Sequence, residues 1–165
     1  MTFESIITLV DLEAISTVLS GLGYFGALLS GFLGTVTVFV AFFPSFLIIP
    51  LLATQLNPIL VGILGGIGAG FGQYLHYYIG VGGRKIISSK RKNQVSSWRS
   101  RLDRYGVVLI FLFAATPLTP DDLIWIPLGV MNYPKLKALV AGILGKITLY
   151  LMYSFTGWFG LDPIL

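Results

Sequence analysis

Cysteine is absent from this 165-residue chain, which excludes disulfides and thiolate chemistry. Histidine occurs once, as His76, so a histidine-based metal cluster is excluded as well. Charge is scarce: 11% of residues are Asp, Glu, Lys or Arg, against roughly 25% in ordinary globular domains. From Ala14 to Gly83 there is not one of them. A soluble helical core needs a charged face on each helix to meet water, and this stretch offers none. No Gly-x-Ser-x-Gly elbow, P-loop or HExxH motif occurs, nor the acidic, His or Arg clusters of a lipid-processing enzyme. The expectation is a chain that is not an enzyme, with no cofactor and no metal.

What is present is apolar. Hydrophobic residues make up 55% of the chain, and mean hydropathy is +0.85. A bilayer crossing takes about 20 apolar residues, so the charge-free run holds two or three membrane segments. The N-terminus lacks a basic region and carries Glu4, Asp11 and Glu13, so it reads as uncleaved, with the first membrane segment as insertion signal. Residues 1–20 are predicted to lie along the interface. Residues 21–165 read as a single membrane domain: a first half 21–83, a linker 84–104 and a second half 105–160.

The net charge of +4 is local. Arg84, Lys85, Lys90, Arg91, Lys92, Arg99, Arg101 and Arg104 all fall in the linker. Between membrane segments such a cluster marks a cytoplasmic loop, and nothing resembles a nucleic-acid reader. Val95, Trp98, Leu102 and Tyr105 share helical spacing, which suits a helix on an anionic leaflet; a hydrated loop is the alternative.

Gly21–Val40 is the first predicted span. Residues 41–57 are apolar but interrupted by Pro44 and Pro50, which points to a re-entrant hairpin, with a proline-kinked span as the alternative. Pro58–Gly83 is a second span, with Gly62, Gly66 and Gly70 at packing distance along one stripe. In the second half, Gly106–Thr116 and Leu123–Asn132, the latter containing Pro127, flank Pro117-Leu-Thr-Pro120-Asp121-Asp122 as a second hairpin. Tyr133–Gly160 is the last span. Val61-Gly-Ile-Leu-Gly65 matches Ala141-Gly-Ile-Leu-Gly145, each after a hairpin. With the linker cytoplasmic, the hairpins open to opposite sides, the N-terminus lies inside and the C-terminus outside the cell membrane. The predicted fold is all-α integral membrane: an inverted repeat with two oppositely oriented re-entrant hairpins and about three full spans.

Asp121 and Asp122 are expensive between apolar arms, and adjacent desolvated carboxylates raise one another's pKa toward proton exchange. The alternative is a hydrated cap on the following helix. Lys146, inside the last span, is their natural counter-charge, for phosphate, for protons or as a structural ion pair. Gln73, His76, Tyr77 and Tyr78 form a polar patch on the second span, where His76 reads either as a structural group or as a proton relay.

Taken in order, Phe43-Pro44, Gly72-Gln-Tyr-Leu-His-Tyr77-Tyr-Ile-Gly80, Arg104-Tyr-Gly106, Thr116-Pro117 with Asp121-Asp122, Leu128-Gly129-Val-Met131 and Gly145-Lys146 resemble the DedA / SNARE-associated Golgi protein (VTT-domain) family, in a prokaryotic form, an archaeal branch included. The resemblance covers about Gly31–Trp158. It implies two re-entrant hairpins in an inverted repeat and movement of lipid between leaflets, as in flippases for polyprenyl-phosphate carriers or phospholipid scramblases. The implied partners are membrane lipids, polyprenyl phosphate among them, and protons or cations; an oligomer is compatible with it. Where many relatives carry acids, this chain has Ser45 and Gln73, and Ala114-Ala115 stands where an arginine is usual. Charge-based handling then rests on Asp121, Asp122 and Lys146, with Arg84 and Lys85 at the mouth. A non-transporting scaffold and a proton-coupled small-solute exporter are the competing readings.

Overall fold

A computed structural model describes residues 12–36, 45–84, 102, 104–117 and 122–160. These are helical throughout, with no strand among the described residues. The elements are α1 (Leu12–Gly21), α2 (Tyr24–Val36), α3 (Ser45–Gln55), α4 (Pro58–Gly83), α5 (Arg104–Ala115), α6 (Asp122–Val130) and α7 (Lys135–Gly160). The interfacial segment, most of the basic linker and the prolines Pro44 and Pro120 fall wholly or partly outside the described residues.

Helix ends are set by local chemistry. α4 begins where the Asn57 side chain accepts from the Ile59 and Leu60 N–H groups at 3.0 and 3.3 Å, with Pro58 in the first turn. α6 ends in a left-handed Asn132 (φ 55°), with Tyr133 N–H donating to the Leu128 carbonyl and Asn132 N–H to that of Gly129. This is the Schellman closure, and Asn is among the few side chains that tolerate that backbone. Gly23 (φ 58°) stops α1 in the same left-handed conformation.

That stop changes the expected first span. Gly21–Val40 does not run as one helix: the chain turns at Leu22–Gly23, and α1 folds back so that a Cβ on Gly26 would overlap the Leu19 backbone. Pro50 also departs from expectation: it lies inside the continuous helix α3 rather than interrupting it, as Pro127 lies inside α6. Each sits near the sixth position, where the missing N–H forfeits only one bond to the first turn.

Among the described residues two helices are long and apolar enough to cross a membrane, α4 and α7, each of 26 residues. At 1.5 Å per residue that is about 39 Å, beyond the roughly 30 Å of a hydrocarbon core. They cross antiparallel through the predicted glycine stripe. Cβ atoms placed on Gly62, Gly66 and Gly70 would collide with Leu151, Ile147 and Ile143 in turn. The opposite face of α4 packs on α2, where Gly31 lies on the Gly65 carbonyl and Gly68 on that of Leu28. Large apolar side chains point outward: Leu136 is 72% exposed, Phe159 73% and Phe25 62%. Small residues inside and large apolar residues outside is the arrangement expected when the solvent is lipid.

The remaining contacts are reciprocal. α3 packs on α7, and α6 packs on α4. Gly157 of α7 lies on the Pro50 carbonyl of α3, and Gly80 of α4 on the Ile126 carbonyl of α6. The Ser154 hydroxyl donates to the Pro58 carbonyl at 2.6 Å, and the Tyr77 hydroxyl to the Tyr133 carbonyl at 2.7 Å. One constant shift along the chain carries Pro50 onto Pro127, Tyr77 onto Ser154 and Gly80 onto Gly157. The sequence match of Val61–Gly65 with Ala141–Gly145 is three residues out of this register, nearly one helical turn. It aligns the right face at the wrong height.

Candidate functional site

Lys146 lies near the middle of α7, beside the crossing with α4, and is 6% exposed. A lysine at the centre of a bilayer costs about 2.5–3.5 kcal/mol on insertion scales, so its retention calls for a counter-charge or a ligand. Helical spacing puts it on one stripe with Gly142 and Tyr150. Gly142 lies under the Trp125 ring of α6, and the Tyr150 hydroxyl is hydrogen-bonded to that of Ser45 at the start of α3, at 3.0 Å. Lys146 therefore sits on α7 between the contact with α6 at Gly142 and the contact with α3 at Tyr150.

α6 and α7 are joined by the bend at 131–134, and their contact is the Trp125 ring on Gly142. Along the chain, Asp122 precedes Trp125 by about one helical turn and Lys146 follows Gly142 by one. On the other long helix Gln73 is fully buried, one turn from Tyr77. The shift that relates the halves carries Ser45 onto Asp122 and Gln73 onto Tyr150. The hydrogen-bonded pair Ser45 and Tyr150 thus occupies, in one half, the places that Asp122 and Gln73 hold in the other. Chemically, a buried ammonium beside a helix N-terminus accepts an anion, and a carboxylate at the same place competes for it.

The other predicted residues are spread out. His76 is 3% exposed in α4, one turn beyond Gly72, which touches Phe32 and Thr35 of α2. Arg84 caps the far end of α4, its N–H directed to the Gly80 and Gly82 carbonyls, with an exposed side chain. It shares that end of the molecule with Lys135, whose ammonium lies 5.4 Å from the Tyr78 ring centre. Pro117 is exposed in the turn after α5. Asp121 and Lys85 lie outside the described residues, as does the side chain of Asp122. Among the described residues no group of three His, Asp or Glu side chains could hold a metal. Tyr150, Tyr133 and Ser154 escaped the sequence reading. A hydroxyl facing inward on an apolar helix gives no signal beyond being there.

These features define an all-helical membrane protein whose two long helices cross at a glycine seam and bury one lysine at the crossing. The VTT domain profile matches residues 14–159, and the chain belongs to that family, the DedA family. The family is linked to membrane transport or lipid handling. No curated protein and no solved structure matches the chain.

Proposed function

We propose that this protein carries a phosphate-bearing lipid, a polyprenyl phosphate or a phospholipid, between the leaflets of the cell membrane. The observation that carries this reading is Lys146, buried in α7 beside its crossing with α4. In the resting state Asp121 or Asp122 neutralises the lysine. Protonation of the carboxylate frees the ammonium, whose three donors then replace water around a lipid phosphate. Proton coupling follows, because the acid and the phosphate compete for one cation.

The architecture proposed with it is an inverted repeat. α3 and α6, of 11 and 9 residues, are about 17 and 14 Å long and too short to cross; α3 belongs to the first re-entrant hairpin, 41–57, and α6 with α5 makes the second, the two entering from opposite sides. Reciprocal packing of each short helix on the long helix of the other half supports this. The end bearing Arg84, Arg104, Lys135 and Lys137 is then cytoplasmic, with the C-terminus outside.

The test is lipid movement in liposomes containing the full chain and either fluorescent polyprenyl phosphate or fluorescent phospholipid. Faster exchange than in protein-free vesicles, lost in Lys146→Met, is the expected result. Equal rates with and without protein would sink the proposal. A cellular phenotype that survives Asp121→Asn with Asp122→Asn but not neutralisation of residues 84–104 would favour the scaffold reading instead.

A further inference from the structure

At the end of the molecule opposite Arg84, the bend between α3 and α4 and the last turns of α7 enclose a cavity of about 470 Å³. That falls inside the roughly 300–1,000 Å³ range of small-molecule sites. Thr54, Gln55, Asn57, Ile59, Phe155 and Trp158 line it, and no ionisable group is among the lining residues. The Asn57 carbonyl oxygen is already engaged by the Ile59 and Leu60 N–H groups, so the helix end beneath presents little to an anion. The Thr54 hydroxyl donates to the Leu51 carbonyl at 2.8 Å, which leaves its oxygen as an acceptor. Gln55 and Asn57 are exposed amides, and Trp158 is 38% exposed. The apolar wall continues outward through Ile59 and Phe159, 50% and 73% exposed, onto the surface that meets lipid.

The equivalent corner at the other end is built differently. The shift that relates the halves carries Pro58 onto Lys135 and Tyr78 onto Phe155. There, Lys135 lays its ammonium over Tyr78, and the corner is covered by the protein's own cation. Here, the proline ring has no reach and Phe155 stays 36% exposed, so the corner is open, with no ionisable group lining it among the described residues.

We propose that this open corner binds the sugar headgroup of a neutral glycolipid. Trp158 and Phe155 cover the C–H face of the sugar, Thr54, Gln55 and Asn57 meet its hydroxyls, and the acyl chains lie along Ile59 and Phe159. Uncharged amides with an exposed indole suit a neutral polyol, since a charged headgroup would be desolvated without a partner. The site is separate from Lys146 and is read by binding, so failure of lipid transport leaves it standing.

The test uses the full chain in detergent micelles, with native mass spectrometry against equal amounts of monoglucosyl diacylglycerol, phosphatidylglycerol and phosphatidylcholine. The glycolipid is retained preferentially. Trp158→Leu and Gln55→Leu each reduce its retention about fivefold, the loss of one hydrogen bond or stacking contact, and leave phosphatidylglycerol unchanged. If Trp158→Leu does not fold, Gln55→Leu decides, because that side chain is exposed. Equal retention of the three lipids, or wild-type glycolipid retention by the folded variants, overturns the proposal. So does free glucose competing as well as the glycolipid, which would make the site one for soluble sugar.

Discussion

Adding one methyl group at Gly80 or Gly157 tests the reciprocal packing that holds the two halves together. A Cβ on Gly80 would overlap the carbonyl oxygen of Ile126, and one on Gly157 that of Pro50. Both obstacles are backbone, so neither can be relieved by a rotamer change; the short helix must move away from the long one. Overpacking of this kind costs about 1–3 kcal/mol, against which alanine regains up to about 1 kcal/mol of helix propensity over glycine. The net expectation is a loss of roughly 1–2 kcal/mol for each variant, a fall in Tm of a few degrees for a chain of this size. Gly82→Ala is the control. It is in the same helix as Gly80 with nothing within 4 Å of the added carbon, so it keeps the propensity gain and melts at or above wild type. Thermal unfolding in detergent, followed by tryptophan fluorescence with a check of monodispersity, separates the three. Gly80→Ala and Gly157→Ala melting together with Gly82→Ala would refute the close approach of α6 to α4 and of α3 to α7.

Tyr77→Phe and Ser154→Ala each remove one inter-half hydrogen bond and should cost about 0.6–1.7 kcal/mol, the range found for polar bonds between membrane helices. The two bonds lie at opposite ends of α4, so the double variant should equal the sum of the singles in the same unfolding assay. Asn57→Ala strips the cap from α4 and should cost about 1 kcal/mol, visible as a lower Tm with unchanged helix content by circular dichroism. Lys146→Arg should retain part of the lipid movement that Lys146→Met loses, measured in liposomes; equal activity of Lys146→Met and wild type would remove the lysine from the mechanism.

Much of this was legible in the residues. Pro58–Gly83 was bounded correctly at both ends, because Asn57 and Pro58 announce a helix start and the charge resumes at Arg84. Lys146 stood out as the one basic residue within an apolar helix. The turn at Leu22–Gly23 was not legible, since an apolar stretch containing glycines also reads as one closely packed membrane helix. Pro50 was over-read as a break, because a proline near a helix start and one in its interior look alike until the start is known. The match of Val61–Gly65 with Ala141–Gly145 lies three residues off the register of the reciprocal contacts, since small and apolar residues recur on the same face a turn apart.

The sequence by itself determined the solvent of this protein, the two long helices and the rarity of its buried charge. All three follow from where charged residues are missing, and lipid enforces that directly. Which helix meets which was decided only in three dimensions. In a bilayer both the core and the surroundings are apolar, so hydrophobic periodicity no longer marks the inward face. Glycines permit close approach to any backbone without choosing one. The choice of α7 for α3 and of α4 for α6 came from the fit of particular carbonyls against particular glycines.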